Sequence, residues 1–480
     1  MNKTIPLLAA AILVPAAASA ITLTRGPYLH LPSDMSMLIV WDTAEPVDTV
    51  VEHGKTTGFG QRDSDPGLVT HHALLLTDLE PSTVYHYRII GGDEVLADGF
   101  SFKTAAGHLA ADARFRFIAV GDTGTLAQAQ LDVALQMKES LPDLGIHGGD
   151  LVYPGGEPDD LDRRYFDVYR DLIGNVPFYL ALGNKDVEFD AGAAHLAAFH
   201  LPENSPSPER FYSFGYGNAF FAALDTNGDL SAGSEQIEWL DSALAESEHP
   251  WKIVFFHHAF VSAGPNVAAL KPVLQPILDS RKVDLVIQAH NHYYERTFPI
   301  RGQEIIDAGE EPAYTTPPGT VYIVTGGGGG TLRPATATEA SARLASTHHH
   351  VVVDVDGTKL TLTAIDSTGK TIDSMTITKG SGALFRRGDT DANASLDITD
   401  AVRILGYLFL GAPALDCLEA ADSDDSGEIE LTDAVRILNH AFLGGEPPEV
   451  PGPPPAPCGP DPAGSPDTGC DEYEGCGGGL

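Results

Sequence analysis

Between residues 115 and 124 the chain reads Phe115-Arg116-Phe117-Ile118-Ala119-Val120-Gly121-Asp122-Thr123-Gly124. Its first six residues form an apolar run of strand length, which ends at a carboxylate flanked by glycine. Apolar strands and longer helical segments then alternate as far as the strand from Leu285 to Ala289. This alternation predicts a layered α/β domain in which helices cover a buried sheet. Active sites in such folds lie in loops beyond the carboxyl ends of the strands.

Four further strand ends carry polar side chains. They read Gly149-Asp150-Leu151-Val152-Tyr153, Gly183-Asn184-Lys185-Asp186, Val254-Phe255-Phe256-His257 and Ala289-His290-Asn291-His292. With the first stretch they supply seven candidate metal ligands: Asp122, Asp150, Tyr153, Asn184, His257, His290 and His292. Each motif alone is more typical of a turn or a polar pair. Seven ligands are too many for one tetrahedral zinc ion, so the complete set predicts a bridged pair of metal ions.

The order of these motifs resembles that of the calcineurin-like metallophosphoesterases, and Tyr153 makes it similar to that of the purple acid phosphatases. The resemblance covers residues 21–380. It implies that Asp122, Tyr153 and His292 hold one ion. It implies further that Asn184, His257 and His290 hold the second ion, and that Asp150 bridges the two. A phenolate with carboxylates favours Fe(III) in the first position, and the second ion is Fe, Zn or Mn.

The resemblance implies that the chain is a metallophosphoesterase. The activity that it favours is that of an acid phosphatase that cleaves phosphomonoesters. Two cations lower the pKa of a shared water, and the metal-bridging hydroxide attacks phosphorus in line. The predicted catalytic residues are Asp150 and Lys185, and Lys185 stands where the family has a histidine beside the leaving group. A lysine ammonium can bind phosphate and donate a proton, but with a different donor geometry. Two alternatives stay open: a phosphodiesterase, or an extracellular binding protein whose site is degenerate through Lys185.

The segment before the α/β domain reads as strands only. The β-rich runs are Met35 to Trp41, Thr49 to His53, Ala73 to Leu76 and Val84 to Ile90. The stretch from Leu79 to Tyr87 resembles the tyrosine corner of a fibronectin type III-like sandwich. Trp41 is expected to anchor the core of that sandwich, and His53, His71, His72 and His86 are expected at its surface.

Near the C-terminus two segments repeat with a spacing of 33 residues. Oxygen-bearing side chains occupy loop positions 1, 3, 5, 9 and 12 in both copies: Asp389, Asp391, Asn393, Asp397 and Asp400, then Asp422, Asp424, Ser426, Glu430 and Asp433. This spacing predicts two Ca²⁺ loops, whereas a single copy is typical of an acidic helix cap. Aspartate at position 12 and a following helix resemble a dockerin-type module, which implies a cohesin-like or matrix partner. Ala394 replaces the usual loop glycine, so the first site is expected to be weaker.

A chain of 480 residues is too long for one core, and we expect a multidomain protein. The predicted fold class is an N-terminal β-sandwich, a central α/β domain of the metallophosphoesterase type (a β-sandwich flanked by helices), and a small α-helical module of duplicated calcium loops. The predicted segments are a signal peptide (1–20), a fibronectin type III-like domain (21–106), a metallophosphoesterase domain (112–380), a dockerin-like module (385–446) and a Pro/Gly-rich tail with cysteines (447–480).

The N-terminus has a positive start at Lys3, an apolar run and small residues up to Ala20. This pattern predicts cleavage near Ala20 and a secreted protein, extracellular or periplasmic. No other segment is long enough to span a bilayer. Four cysteines beyond residue 400 allow three disulfide pairings. A net charge of -38 argues against nucleic acid as a partner and leaves a small phosphorylated substrate possible.

Overall fold

The computed structural model describes residues 20–265, 267–306, 312–315, 317, 319–379, 384–412, 415–459, 470 and 473–476. Almost all of the predicted signal peptide and much of the tail lie outside these residues. Within the described residues, no helix combines the length and the apolar character that crossing a membrane requires.

The N-terminal region is a five-stranded antiparallel sheet. Its strands are β1 (Leu23–His30), β2 (Met37–Gly54), β3 (Gln61–Leu76), β4 (Val84–Gly91) and β5 (Glu94–Lys103). Side chains from all five strands meet in one apolar cluster, which contains the fully buried Trp41. The hydroxyl of Tyr85 accepts a hydrogen bond from the backbone N–H of Glu80 at 3.0 Å. The β-rich character of this region and the core position of Trp41 are therefore confirmed, and the fibronectin type III-like sandwich stays a prediction.

The strands predicted separately at Met35 to Trp41 and at Thr49 to His53 form one continuous strand in the structure. β2 runs through the segment between the predicted strands, and its register against β3 shifts between Asp42 and Val47. Pro46 lies in this irregular stretch. Because proline has no N–H to donate, strands tolerate it where the ladder is interrupted. The proline therefore marks a bulge here and does not end the strand.

The expectation of surface histidines in this region is wrong for His53 and His72. The ring of His72 is fully buried and stacks on Trp41, with 4.8 Å between the ring centroids. Its two nitrogens pair with the hydroxyls of Thr43 and Thr49 at 2.9 and 2.8 Å. A histidine whose two nitrogens are both hydrogen-bonded can be buried at little cost, which explains its place in the core.

The central region contains sixteen described strands. They are β6 (Arg114–Val120), β7 (Leu144–His147), β8 (Phe178–Leu180), β9 (Tyr212–Tyr216), β10 (Ala219–Leu224), β11 (Trp251–His258), β12 (Leu285–Ala289), β13 (Tyr294–Thr297), β14 (Ile300–Arg301), β15 (Glu304–Ile305), β16 (Ala313–Thr315), β17 (Val321–Thr325), β18 (Ser341–Ala345), β19 (His349–Asp356), β20 (Lys359–Asp366) and β21 (Thr371–Thr378). Two seven-stranded sheets result, in the orders β16-β21-β20-β19-β6-β7-β8 and β18-β13-β17-β12-β11-β10-β9, and β14 pairs with β15.

Helices flank the two sheets. They are α1 (Gln128–Glu139), α2 (Pro158–Leu161), α3 (Asp167–Ile173), α4 (Asn184–Glu188), α5 (Ala193–Ala198), α6 (Glu235–Glu246) and α7 (Lys271–Ser280). Successive residues of a strand face opposite sides. In β10 and β11, Phe221 and Phe255 join the core between the sheets, whereas Phe220 and Phe256 pack in the cluster that includes α6 and α7. The predicted α/β domain with a helix-flanked sandwich is confirmed.

The parallel strands of both sheets bring their carboxyl ends to one edge. β6, β7 and β8 run parallel in the first sheet, and β10, β11, β12 and β17 run parallel in the second. All five polar motifs of the sequence follow or end one of these strands. The fold therefore positions the candidate ligands at a single edge of the sandwich.

The C-terminal region contains α8 (Ile398–Phe409), α9 (Leu418–Ala421) and α10 (Leu431–Leu443). Ala401 and Ile404 of α8 meet Ala434 and Ile437 of α10 in one apolar cluster. Ala401 and Ala434 are 33 residues apart, as are Ile404 and Ile437. The duplicated helices therefore contribute equivalent side chains to a shared core. Of the three possible pairings, the cysteines adopt Cys417–Cys470 and Cys458–Cys476.

Buried neutral histidines are expected to make the fold sensitive to acid. Burial lowers the pKa of His30, His195 and His350 to about 3, and that of His349 to about 4. Because a histidine of the unfolded chain titrates near 6.5, protons bind the unfolded state preferentially below that pH. This contribution to stability is complete above pH 6.5 and is lost as the pH falls toward 4. We expect calorimetry to show the melting temperature falling by more than about 10 °C between pH 7 and pH 4.5.

The matched variant for this prediction is His195→Leu. Neither ring nitrogen of His195 has a hydrogen-bond partner within the described part of the chain, so leucine removes the titration without breaking such a bond. The pH dependence of the melting temperature should then become shallower. An identical pH dependence in both proteins would show that buried histidines do not control acid stability.

Candidate metal centre

The structure brings all seven predicted ligands together. Asp122 follows β6, Asp150 and Tyr153 follow β7, Asn184 begins α4 after β8, His257 lies near the end of β11, and His290 and His292 follow β12. The carboxylates of Asp122 and Asp150 and the imidazole of His257 lie within 4.8 Å of one another. All three side chains are almost completely buried. The site is therefore a compact polar cluster at the end of an apolar sandwich.

Tyr153, Asp122 and His292 form the first of two groups. The phenol of Tyr153 donates a hydrogen bond to Oδ1 of Asp122 at 2.8 Å and lies 3.3 Å from Nε2 of His292. The same nitrogen is 3.1 Å from Oδ1 of Asp122. An oxygen of a carboxylate, a phenol oxygen and an imidazole nitrogen thus face a common point. This is the group that the family resemblance assigns to the first ion.

Asn184, His257 and His290 form the second group. Oδ1 of Asn184 lies 3.1 Å from Nε2 of His257 and 3.0 Å from Nδ1 of His290, and the two nitrogens are 3.1 Å apart. Asp150 lies between the groups, because its Oδ2 accepts a hydrogen bond from Tyr153 at 2.9 Å and its Oδ1 is 3.5 Å from Nε2 of His257. The arrangement is that of two donor sets which share one carboxylate.

Backbone carbonyls set the orientation of two imidazoles. Nδ1 of His257 lies 2.9 Å from the carbonyl of Gly148, and Nδ1 of His292 lies 2.7 Å from the carbonyl of Thr331. A carbonyl only accepts hydrogen bonds, so each Nδ1 carries the proton. The Nε2 lone pairs then face the centre, which is the usual arrangement of metal-binding histidines. The donor set therefore fits a pair of borderline or hard metal ions.

Three ligands adopt left-handed backbone conformations, with φ of 58° at Asp122, 56° at Asp150 and 65° at His290. Such conformations disfavour side chains with a Cβ, and they cluster at functional sites where the surrounding structure enforces them. The glycine-rich stretch 326–330 supplies part of that enforcement. A Cβ at Gly326 would lie 2.6 Å from Oδ2 of Asp122. This stretch is thus a close-packed wall of the site.

The electrostatics of the cluster call for positive charge at its centre. Burial raises the pKa of Tyr153, and the carboxylates of Asp122 and Asp150 raise it further, so the phenol keeps its proton. Burial also raises the pKa of Asp150, and the interaction with His257 opposes this rise. Burial lowers the pKa of His290 to about 4. Cations between the two donor sets would stabilise both carboxylates and a phenolate.

Lys185 contacts the cluster through its main chain. Its backbone N–H donates to Oδ1 of Asp150 at 2.7 Å, whereas its Nζ pairs with Oε2 of Glu188 at 2.5 Å. His258 follows a ligand in sequence and hydrogen-bonds the hydroxyl of Thr226 at 2.9 Å through Nδ1. His258 is therefore a neighbour of the metal ligands, as its place next to His257 in the sequence indicates.

Asp186 is a site residue that the sequence motifs did not single out. It is buried, and its carboxylate accepts hydrogen bonds from the backbone N–H groups of Asp150, Leu151 and Gly183, each at 2.8 Å. These bonds tie the second and third ligand loops to each other. Burial raises the pKa of Asp186 to about 7. The signal available in the sequence was its position two residues after Asn184.

We expect Asp186→Ala to destabilise the protein by about 3 kcal/mol, because three buried N–H groups would lose their acceptor. Displacement of the ligand loops should also weaken metal affinity by about ten- to a hundredfold. Chemical denaturation and metal titration measure the two effects. Asp159→Ala, at an exposed position of α2, is the control. Equal metal affinity in all three proteins would show that Asp186 does not position the ligands.

The residues of the two predicted calcium loops are only partly brought together. Asp389, Asp391 and Asp400 have carboxylate oxygens within 4.8 Å of one another, as do Asp422, Asp424 and Asp433. The side chains at the other predicted positions make short-range hydrogen bonds: Asn393 with Ser395, Asp397 with Thr399, Ser426 with Glu428 and Glu430 with Thr432. Each loop therefore presents three clustered carboxylates at positions 1, 3 and 12.

Comparison with known proteins agrees with this site. Residues 115–294 match the calcineurin-like phosphoesterase family. Acid phosphatase type 7 from Danio rerio is 25% identical over 398 residues, which cover 72% of this chain and 88% of the relative. "Probable inactive purple acid phosphatase 27" from Arabidopsis thaliana is 27% identical over 305 residues, which cover 55% of this chain. They cover 49% of that relative, so the chain spans about half its length.

A solved structure shows the same fold. A purple acid phosphatase from yellow lupin (Lupinus luteus) seeds superposes with a TM-score of 0.67 at 21% sequence identity, covering 74% of this chain and 75% of that chain. The family match itself runs from β6 to the start of β13 and so includes the ligand-bearing strands. Residues 115–294 therefore form a calcineurin-like metallophosphoesterase domain, in a chain that has homologues among the purple acid phosphatases and shares their fold.

Proposed function

We propose that the chain is a secreted dinuclear-metal phosphohydrolase that cleaves phosphomonoesters. The observation that supports this most strongly is the convergence of seven nitrogen and oxygen donors from five loops, in two sets that share Asp150. The family match and the acid phosphatase relative point the same way. Two disulfides favour an oxidising compartment and agree with the predicted export signal.

In this proposal Asp122, Tyr153 and His292 would hold an iron ion, and Asn184, His257 and His290 would hold iron, zinc or manganese. When bound, the two ions would supply activation of water and neutralisation of phosphate charge. Asp150 contacts both donor sets and holds them in a fixed relative position. The carbonyls of Gly148 and Thr331 fix the imidazoles, so the site is organised before substrate arrives.

We further propose that Lys185 donates the proton to the leaving group, although its ion pair with Glu188 makes it a poor donor. Lys185→His should then raise kcat about tenfold for an alkyl phosphate, whose leaving group needs a proton. The gain should be under about twofold for a nitrophenyl phosphate, whose leaving group departs as an anion. Steady-state kinetics on both substrates measure this. Equal kcat values for Lys185→His and the parent on the alkyl ester would exclude lysine as the limiting group.

Two other functions are compatible with the same site. A phosphodiesterase would hydrolyse an aryl diester at least as well as the monoester, so the ratio of the two activities decides between them. A non-catalytic binding protein is favoured by the ion pair of Lys185 with Glu188, and three relatives are named as probable inactive purple acid phosphatases. Two bound metal ions without turnover of either ester would support that function.

We also propose that residues 385–446 form a dockerin-like module that binds Ca²⁺ through its two loops. Positions 4 and 6 are left-handed in both loops, at Ala392 and Ala394 in the first and at Asp425 and Gly427 in the second. An alanine in this conformation costs about 1 kcal/mol more than a glycine. The first loop should therefore bind calcium more weakly.

The duplicated helices leave equivalent apolar side chains exposed. The pairs are Ile398 with Leu431, Val402 with Val435, Phe409 with Phe442, and Leu410 with Leu443. Exposed apolar side chains in such a pattern mark an interaction surface. We propose that it docks onto a cohesin-like or matrix partner, which would tether the phosphohydrolase. Capture by an immobilised cohesin-type module in calcium, and release in chelator, is the corresponding test.

A further inference from the structure

A tightly held loop carries an arginine to the rim of the metal centre. The backbone N–H of Gly330 donates to the carbonyl of Asp122 at 2.8 Å. The carbonyl of Thr331 accepts from Nδ1 of His292 at 2.7 Å, and the N–H of Arg333 donates to the carbonyl of His292 at 3.1 Å. Three successive contacts thus fix residues 330–333 against two ligands. The position of Arg333 follows directly from the ligand geometry.

The guanidinium of Arg333 is exposed, and within the described residues it forms no hydrogen bond and no ion pair. The backbone N–H of Arg333 lies 3.1 Å from the carbonyl of the ligand His292, so the residue stands beside the first donor set. By contrast, the ammonium of Lys185 is paired with Glu188.

We infer that Arg333 binds a second anionic group of the substrate, and that the preferred substrates are phosphomonoesters that carry a carboxylate or a further phosphate close to the scissile phosphate. This inference rests on the proposed phosphohydrolase function. The two donor sets would hold the metal ions that neutralise the scissile phosphate, whereas Arg333 at the rim would meet the rest of the substrate. A guanidinium binds carboxylate or phosphate through two parallel hydrogen bonds.

Two matched substrate pairs test the inference on the metal-loaded full chain. The first pair is 2-phosphoglycerate and glycerol 2-phosphate, which differ by a carboxylate. The second is propane-1,3-diol bisphosphate and its monophosphate, which differ by a phosphate. We expect kcat/KM to favour the partner with the additional anionic group by about tenfold in at least one pair. The pair that shows the preference identifies the recognised group.

Arg333→Gln should abolish this preference, Arg333→Lys should retain part of it, and Arg114→Gln should leave it intact. Arg114 is an exposed arginine at the opposite end of β6 and pairs with Asp356. The preference should also weaken as salt is raised, because an exposed ion pair is screened. A preference that survives in Arg333→Gln, or its absence from the parent in both pairs, would overturn the inference.

Equilibrium binding separates this inference from the proposed function. If no substrate is turned over, the phosphohydrolase proposal fails, and calorimetric binding of 2-phosphoglycerate still tests the role of Arg333. Binding should weaken about tenfold in Arg333→Gln and not in Arg114→Gln. Equal affinity in the parent and Arg333→Gln would overturn the inference whether or not the protein is catalytic.

Discussion

Asp150→Asn is expected to lower kcat/KM for an aryl phosphate by at least about a thousandfold, which corresponds to roughly 4 kcal/mol of transition-state stabilisation. The side chain of Asp150 contacts both donor sets, Tyr153 on one side and His257 on the other. An amide keeps the shape of the side chain and removes its charge. The two sites should then lose the shared anion that holds two cations near each other.

Metal analysis and kinetics on the same preparations measure this effect. We expect Asp150→Asn to bind fewer than two metal ions per chain while keeping its circular dichroism spectrum. Asp356→Asn is the matched control, because Asp356 is an exposed aspartate at the opposite end of the sheet. Activity of Asp150→Asn within tenfold of the parent would show that this carboxylate does not bridge a catalytic metal pair.

Removal of calcium is expected to lower the melting temperature of the C-terminal module by about 15 °C or more, since a ligand bound far above its dissociation constant adds several kcal/mol to stability. Each loop holds three carboxylates within 4.8 Å of one another. Burial raises the pKa of Asp400 and of Asp433 to about 6. Like charges this close oppose folding at neutral pH unless a cation lies between them. Calorimetry of the full chain in calcium and in EGTA measures the shift.

Variants of the loops test whether the calcium effect comes from the predicted ligands. Asp400→Ala with Asp433→Ala should abolish the calcium shift and leave metal binding at the dinuclear centre intact. Ala394→Gly should strengthen the first loop, because φ is 63° at Ala394 and glycine adopts that conformation at no cost. A melting temperature that is the same with and without calcium would contradict the assignment of these loops.

The candidate metal centre was largely predictable because its chemistry lies in side chains at recognisable places. Apolar runs such as Phe115 to Val120 mark buried strands, and a polar side chain at the end of each run has a predictable position. Parallel strands then deliver Asp122, Asp150 and His257 to one edge. The duplicated loops were visible for a similar reason, since a repeat of 33 residues is a property of the sequence itself.

The features that escaped prediction depend on contacts that the local sequence does not show. Asp186 matters because of three N–H groups that face it, and Arg333 because of a loop fixed to His292. Neither contact has a side-chain signature. The continuous β2 escaped because Pro46 is typical of a strand end and here sits in a bulge. His72 escaped because two buried threonine hydroxyls satisfy its ring.

Metal-dependent hydrolysis of p-nitrophenyl phosphate by the purified chain, measured from pH 4 to pH 8 alongside metal analysis, tests the central claim most directly. A dinuclear phosphohydrolase should contain two transition-metal ions per chain, lose activity when they are removed and regain it when they are restored. Turnover that persists without metal, or a protein that binds at most one ion, would contradict the account of Asp150 as the carboxylate shared by two metal sites.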